Sequence, residues 1–269
     1  MNEMINTITQ GDCLEVMKRI PDGYIDLTIT SPPYDNLRTY NGFKWNFEKI
    51  AKELYRVTKE GGIVVWVVGD ATIKGSETLT SFRQALFFQE TGFNVHDTMI
   101  YEKASPSPPS HNRYLQSFEY MFILSKGRPK TSNLIRDRKN AHGGVRKAER
   151  SIRDVDGNLT SRGAKVIPEY SVRFNIWRYA TGFRQSTSDK YAYEHPAIFP
   201  EKLAEDHIIS WSNPGDIVFD PFVGSGTTAK MAVLNDRKYI GIDISEEYVD
   251  IARRRVGEAL AFKNEKEID

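Results

Sequence analysis

Four consecutive residues, Ser31-Pro32-Pro33-Tyr34, place a hydroxyl, a rigid carbonyl and an aromatic ring within one short turn. They follow an apolar run, Ile25 to Thr30, that reads as a strand. Two prolines at its end stop the strand and fix the backbone. The Pro32 carbonyl then cannot join a ladder and is free to point into a cleft. With the Ser31 hydroxyl it offers two acceptors to an exocyclic NH2, and Tyr34 offers a ring for stacking on a flat nitrogen base. The plain alternative is a Pro-Pro turn with a tyrosine packed into the core.

A second motif lies far along the chain. Asp220-Pro221-Phe222-Val223-Gly224-Ser225-Gly226-Thr227-Thr228 follows a short strand, Ile217 to Phe219, and leads into a helical run, Ala229 to Leu234. Strand, glycine loop and helix together form a geometry that binds anions through exposed backbone N–H groups. Gly224 and Gly226 let a ligand come close to the backbone. Neither a Gly-Lys-Ser/Thr phosphate cradle nor a G-x-G-x-x-G fingerprint is present. About 20 residues on, a strand from Tyr239 ends in Asp243, a carboxylate suited to a ribose diol. A ligand with a ribose and a small anionic group fits this set, and S-adenosylmethionine is such a ligand.

The two motifs resemble those of the β-class DNA amino-methyltransferases, with their [DNS]-P-P-[YFW] and D-P-F-x-G-S-G-T-T patterns. The segments Glu53–Gly62, Glu119–Gly127 and His195–Pro200 resemble further family segments, in the family's order. The resemblance implies S-adenosylmethionine as cofactor and Ser31, Pro32, Pro33 and Tyr34 as catalytic residues. It implies a cofactor set of Asp12, Cys13, Ser31, Phe199, Asp220, Phe222, Gly224, Ser225, Gly226, Thr227, Thr228, Asp243 and Ile244. Core packing is an alternative for Phe199, and Cys13 reads as a small buried residue beside the cofactor rather than a nucleophile. His195 reads as a structural hydrogen-bonding residue. Family members with Ser at the first motif position are mostly cytosine-N4 enzymes, so Ser31 favours cytosine N4 over adenine N6. A base inside a duplex cannot reach such a turn, so base flipping is expected, with Tyr34 stacking on the extruded base. Two other readings are an amino-methyltransferase acting on RNA or on a protein glutamine, and a catalytically silent DNA-binding subunit. Ser31 argues against the first, because an Asn in its place would favour it, and the intact motifs argue against the second.

Length, 269 residues, suits one large domain or one domain with an insertion. No apolar run approaches the ~20 residues of a membrane span. The first residues lack the pattern of a secretory signal, and one cysteine forms no internal disulfide, so a cytoplasmic location is expected. No C-x-x-C or H-E-x-x-H pattern suggests a metal. The net charge of +1 hides an uneven distribution. Residues 126–190 hold sixteen Lys/Arg against six Asp/Glu, a net of +10, and the rest of the chain carries −9. Such a stretch suits a polyanion, and its basic residues are interleaved with Tyr170, Phe174, Trp177, Tyr179 and Phe183. A solvated linker is the alternative. The expected organisation is a catalytic part at 1–125, an inserted target-recognition region at 126–190 and a cofactor-binding part at 191–269. Arg136, Arg138, Lys139, Arg146, Lys147, Arg173, Arg178 and Arg184 are the expected contacts to double-stranded DNA. A partner restriction endonuclease and a homodimer are both compatible with the family.

The elements that position these motifs alternate. Strands are expected at Ile5–Thr9, Ile25–Thr30, Ile63–Val68, Val95–Glu102 and Phe118–Leu124. Helices are expected at Leu14–Ile20, Phe47–Val57, Thr80–Thr91, Glu201–Ser210 and Glu246–Leu260, the second with apolar residues at 47, 50, 51, 54 and 57. Residues 35–45 and 104–113 read as loops. The pattern implies an α/β fold, a Rossmann-like, doubly wound, mostly parallel sheet. In an ordinary methyltransferase using this cofactor, the glycine-loop strand comes first and the catalytic loop follows the fourth strand. Here the chain is circularly permuted: the Ile5 strand takes third place and the Ile25 strand fourth. Asp12 then follows the third strand, where it can accept from the adenine amino group, cap the next helix, or do both.

Overall fold

The computed structural model describes residues 2–33, 45–104, 112–147, 150–182, 184–195 and 198–268. Tyr34, Phe183, Pro196 and Ala197 lie outside these residues, as does most of the loops expected at 35–45 and 104–113. Two compact units form, one from Leu134–Phe174 and the other from the remainder of the chain.

The larger unit begins with β1 (Thr7–Gln10), α1 (Cys13–Met17), β2 (Ile25–Thr30), α2 (Phe47–Val57) and β3 (Thr58–Val68). A two-residue-per-strand hairpin follows, β4 (Thr72–Ile73) and β5 (Ser76–Glu77), then α3 (Thr80–Thr91), β6 (Asn94–Lys103) and β7 (Phe118–Ser125). The smaller unit holds β8 (Arg136–Lys139), β9 (Arg146–Lys147), β10 (Arg150–Arg153), β11 (Leu159–Arg162), β12 (Lys165–Val166) and β13 (Tyr170–Val172). The larger unit resumes with β14 (Ile176–Tyr179), α4 (Glu201–Trp211), β15 (Ile217–Asp220), α5 (Thr227–Leu234), β16 (Lys238–Asp243) and α6 (Glu246–Ile268).

Eight strands build one sheet in the order β1-β16-β15-β2-β3-β7-β6-β14. Only β7 runs against its neighbours; the other pairs are parallel. The glycine-loop strand β15 lies between β16 and β2, and β1 pairs with β16. Counted from β15, the strands run third, second, first, fourth across this half of the sheet, which is the expected permutation. The order reverses between β15 and β2. In open α/β sheets the crevice outside the carboxyl ends of the strands at such a switch point is where ligands bind. The glycine loop leaves the end of β15 and Ser31 leaves the end of β2, so both motifs open onto that crevice.

Burial explains why the central strands are apolar throughout. Ile217 to Asp220 and residues 61–68 of β3 are all buried, as expected of strands covered on both faces. Helix α2 turns Ile50, Ala51, Leu54 and Val57 inward, while Asn46 caps its start by accepting from the Lys49 N–H at 3.0 Å. Trp66 on β3 is fully buried; its Nε1–H donates to Gln84 Oε1 at 2.8 Å and its ring meets Phe88 at 5.0 Å.

Several boundaries differ from expectation. Helix α1 stops at Met17, β3 starts at Thr58, and α6 runs to Ile268. The larger difference is β14. Residues 176–179 pair with β6 as the last strand of the central sheet instead of belonging to a separate insert. Trp177 and Tyr179 are buried there, and Tyr179 donates its hydroxyl proton to Asp206 at 2.8 Å. They are core aromatics rather than a nucleic-acid stacking surface. The separate unit is accordingly narrower than 126–190. It is a nested hairpin in which β8 pairs β13, β9 pairs β12 and β10 pairs β11, all antiparallel.

Candidate active site

Asp220 ends β15 and is 1% exposed, so it does not line the crevice. It works from beneath. Its Oδ1 accepts from Thr30 Oγ1 at 2.7 Å and from the Phe222 N–H at 3.0 Å, and its Oδ2 accepts from Thr228 Oγ1 at 2.8 Å. One carboxyl therefore ties the residue before Ser31 to both ends of the glycine loop. Burial pushes its pKa up to about 7, against the lowering effect of these hydrogen bonds.

The loop above it is held by its own backbone. The Val223 N–H donates to Ile242 O at 2.9 Å, the Gly226 N–H to Val223 O at 2.7 Å, and the Gly224 N–H to Asp243 Oδ2 at 3.0 Å. These three donors are taken, so the expectation that the loop turns its N–H groups toward an anion does not hold for them. Both glycines are required by space and by conformation. Gly224 has φ +48° and a Cβ there would lie 2.8 Å from His195 Nε2; Gly226 has φ +85° and a Cβ would lie 2.7 Å from Ala252 Cβ.

Asp243 ends β16 with Oδ2 bonded to Gly224 and Oδ1 accepting the Ser245 N–H at 2.9 Å. Each oxygen keeps capacity for a further hydrogen bond. Burial raises its pKa, while three backbone N–H groups oppose the shift. Asp12 follows β1 and caps α1, its Oδ1 accepting from the N–H groups of Leu14 at 2.8 Å and Glu15 at 3.3 Å. Cys13 is buried beside it, and burial, reinforced by the Asp12 charge, pushes its thiol up to about 12. Such a thiol is no nucleophile.

These pieces enclose one cavity with about 1000 Å³ of empty space, its open mouth included. From the sequence-derived set, Asp12, Cys13, Ser31, Pro33, Phe199, Phe222, Gly224, Ser225, Thr227, Asp243 and Ile244 reach its wall. Asp220, Gly226 and Thr228 do not: Asp220 and Thr228 are bonded to each other beneath the loop, and Gly226 faces Ala252 of α6. Pro32 is buried, and Tyr34 lies outside the described residues. Sequence reasoning missed Trp45 and Tyr248 and gave His195 no place on the wall. Trp45 packs its ring 5.4 Å from Phe222. Tyr248 meets the ring of His195 at 4.4 Å, and His195 in turn presses on Gly224. Trp45 falls in a loop with no period to read, and Tyr248 sits in the first turn of a helix whose charges dominate its pattern.

Residues 25–254 match the N6/N4 methylase family of DNA methylases. The chain belongs to that family. It is 65% identical over 241 residues to the orphan methyltransferase M.BamHII of Bacillus amyloliquefaciens, covering 89% of this chain and 91% of that one. It is 28% identical to the DNA adenine methyltransferase YhdJ of Escherichia coli, over 97% of this chain and 85% of that one. Among solved structures, the cytosine-N4-specific PvuII DNA methyltransferase shares the fold with a TM-score of 0.68, at 22% identity over 94% of this chain and 90% of that one. The S-adenosylmethionine complex of M1.HpyAVI shares it at 0.62, with 24% identity over 93% and 98%. This protein is thus an S-adenosylmethionine-dependent DNA methyltransferase. The cavity suits that cofactor: Asp243 presents spare acceptors for a ribose at its wall.

The expected DNA contacts divide. Arg136, Arg138, Lys139 and Arg146 are exposed on the smaller unit, Arg138 stacking over Phe174 at 4.5 Å. Lys147 pairs through β9. Arg173 is committed to Asp137, its Nε donating at 2.7 Å. Arg178 lies on β14 in the central sheet, 3.8 Å from Glu102, and Arg184 follows that strand in the larger unit. Among the described residues, no helix is long and apolar enough to cross a membrane.

Proposed function

We propose that this methyltransferase modifies the exocyclic amine of a base flipped out of duplex DNA, and that the base is cytosine, methylated at N4. The observation that carries the reading is Ser31 on the cavity wall, at the head of the proline turn and at the end of β2. An exocyclic amine is a poor nucleophile because its lone pair is delocalised into the ring. The Ser31 hydroxyl and the Pro32 carbonyl would accept its two N–H bonds and let the nitrogen pyramidalise. Holding the amine in line with the electrophile supplies most of the acceleration. The cofactor supplies that electrophile, a methyl group on a sulfonium. Asp243 would hold the ribose, and Asp12 would accept from the adenine amino group while still capping α1. Ser225, Thr227 and the walls Phe199 and Phe222 would enclose the amino-acid end. The alkylated nitrogen is acidic, so Ser31 needs no strong base beside it. Tyr34 would stack on the flipped base.

The smaller unit, residues 134–174, is read as the target-recognition element, with ten Lys/Arg against five Asp/Glu and exposed Arg136, Arg138, Lys139 and Arg146. Family membership does not choose the base, since one relative is named an adenine methyltransferase. Incubating the protein with genomic DNA and cofactor, digesting to nucleosides and weighing the products tests the assignment. N4-methylcytosine is expected; N6-methyladenine would overturn the choice of base.

A further inference from the structure

Behind the cofactor loop sits a charge that no part of the reaction uses. Arg255 on α6 is 0% exposed. Its Nη1 donates to Ser225 O at 2.8 Å, Ser225 Oγ at 3.2 Å and Thr227 Oγ1 at 3.1 Å. Its Nη2 donates to Glu201 Oε1 at 2.6 Å and Thr187 Oγ1 at 3.3 Å, and its Nε to Asp189 Oδ2 at 2.8 Å. Lys230 on α5 bonds the same two carboxylates, at 2.8 Å to Asp189 and 2.7 Å to Glu201. Two cations and two anions thus close a neutral set, which is the condition for burying such groups. Burial alone would raise the Asp189 pKa, but the hydrogen bonds from Lys230 and Arg255 hold it below the usual carboxylate range.

The set is aimed. One side of the guanidinium is anchored by Asp189, before the 3-10 turn Lys190–Glu194, and by Glu201, at the start of α4. The other side grips Ser225 and Thr227, both on the cavity wall. One turn earlier on α6, Ala252 fills the place a side chain at Gly226 would take. Helix α6 therefore presses on the loop at three successive residues, 225, 226 and 227.

We infer that Arg255 is a positioning residue for the amino-acid end of the cofactor: it sets the Ser225–Thr227 segment against its anchors without touching the ligand. This rests on the cofactor reading proposed above, with the ribose at Asp243. Asp243 is held instead by the N–H groups of Gly224 and Ser245. The two ends of the ligand thus depend on different supports.

Two ligands separate them. S-adenosylhomocysteine carries the amino-acid group, and 5′-methylthioadenosine lacks it. Lysine in place of arginine keeps the charge but cannot span loop and anchors with one planar fork. In Arg255→Lys, calorimetry should show S-adenosylhomocysteine binding about tenfold weaker or more, with methylthioadenosine changed less than about twofold. Equal weakening of both ligands, or of neither, would overturn the inference. Asp243→Asn is the control on the underlying reading and should weaken both ligands; if it spares both, the ribose assignment fails whatever Arg255 does. Should Arg255→Lys not fold, Glu201→Gln loosens the same anchor and must show the same selective loss.

Discussion

Replacing Asp220 by asparagine should remove a pH dependence of stability. The carboxyl ordinarily titrates at 3.8, and burial pushes it up to about 7 in the folded protein. Between those values the folded state holds one more proton than the unfolded state. Stability from this group is therefore complete below about pH 4 and is lost as pH rises through about 7, by about 1.4 kcal/mol per unit and about 4 kcal/mol in all. Asparagine reproduces the protonated form. Its oxygen keeps the hydrogen bonds from Thr30 and Phe222, and its NH2 can donate to Thr228 Oγ1, whose own proton turns to Ile29 O at 3.2 Å. Urea unfolding of both proteins at a series of pH values measures the effect. The advantage of Asp220→Asn over the parent should grow by about 2–3 kcal/mol between pH 5 and 7 and level off above about pH 8. Parallel curves across that range would refute the buried, protonated carboxyl.

Three further outcomes are expected. Asp243→Ala should weaken cofactor binding by about 1.5–3 kcal/mol in calorimetry, and an unchanged affinity would remove it from the ribose site. Changing Arg136, Arg138 and Lys139 together to glutamine should weaken DNA binding and flatten its salt dependence by about 0.9 for each phosphate no longer neutralised; unaltered affinity and slope would make the smaller unit something other than a DNA-binding element. Cys13, its thiol pushed up to about 12 by burial, should react with a disulfide reagent at about pH 8 far more slowly in the native protein than after unfolding. Immediate labelling of the native protein would show the pocket floor to be open.

What was legible in the chain was what local chemistry determines. The proline turn stops β2 where it was expected to, and the spacing of apolar residues marks α2 to the residue. Asp12 was readable as a cap because capping needs only the next three residues. What failed depends on distant partners. Ile176–Tyr179 lies in a basic stretch, and only its pairing with β6 makes Trp177 and Tyr179 interior. Arg253, Arg254 and Arg255 are consecutive and nothing local tells them apart, yet the third is buried because Asp189 and Glu201 come from elsewhere to neutralise it. Asp220 belonged to a recognised motif, but its place under the loop follows from Thr30, 190 residues away.

That same distance shapes how the protein is made. Strand β2 is complete at Thr30, while its neighbour β15 begins at Ile217. A ribosome adding ~5–20 residues per second needs about 10–40 s to supply the missing strand. Throughout that interval one apolar edge of β2 is a template for any other nascent chain. Slowed translation between these points should raise the insoluble fraction, and a holdase chaperone supplied in excess should lower it again.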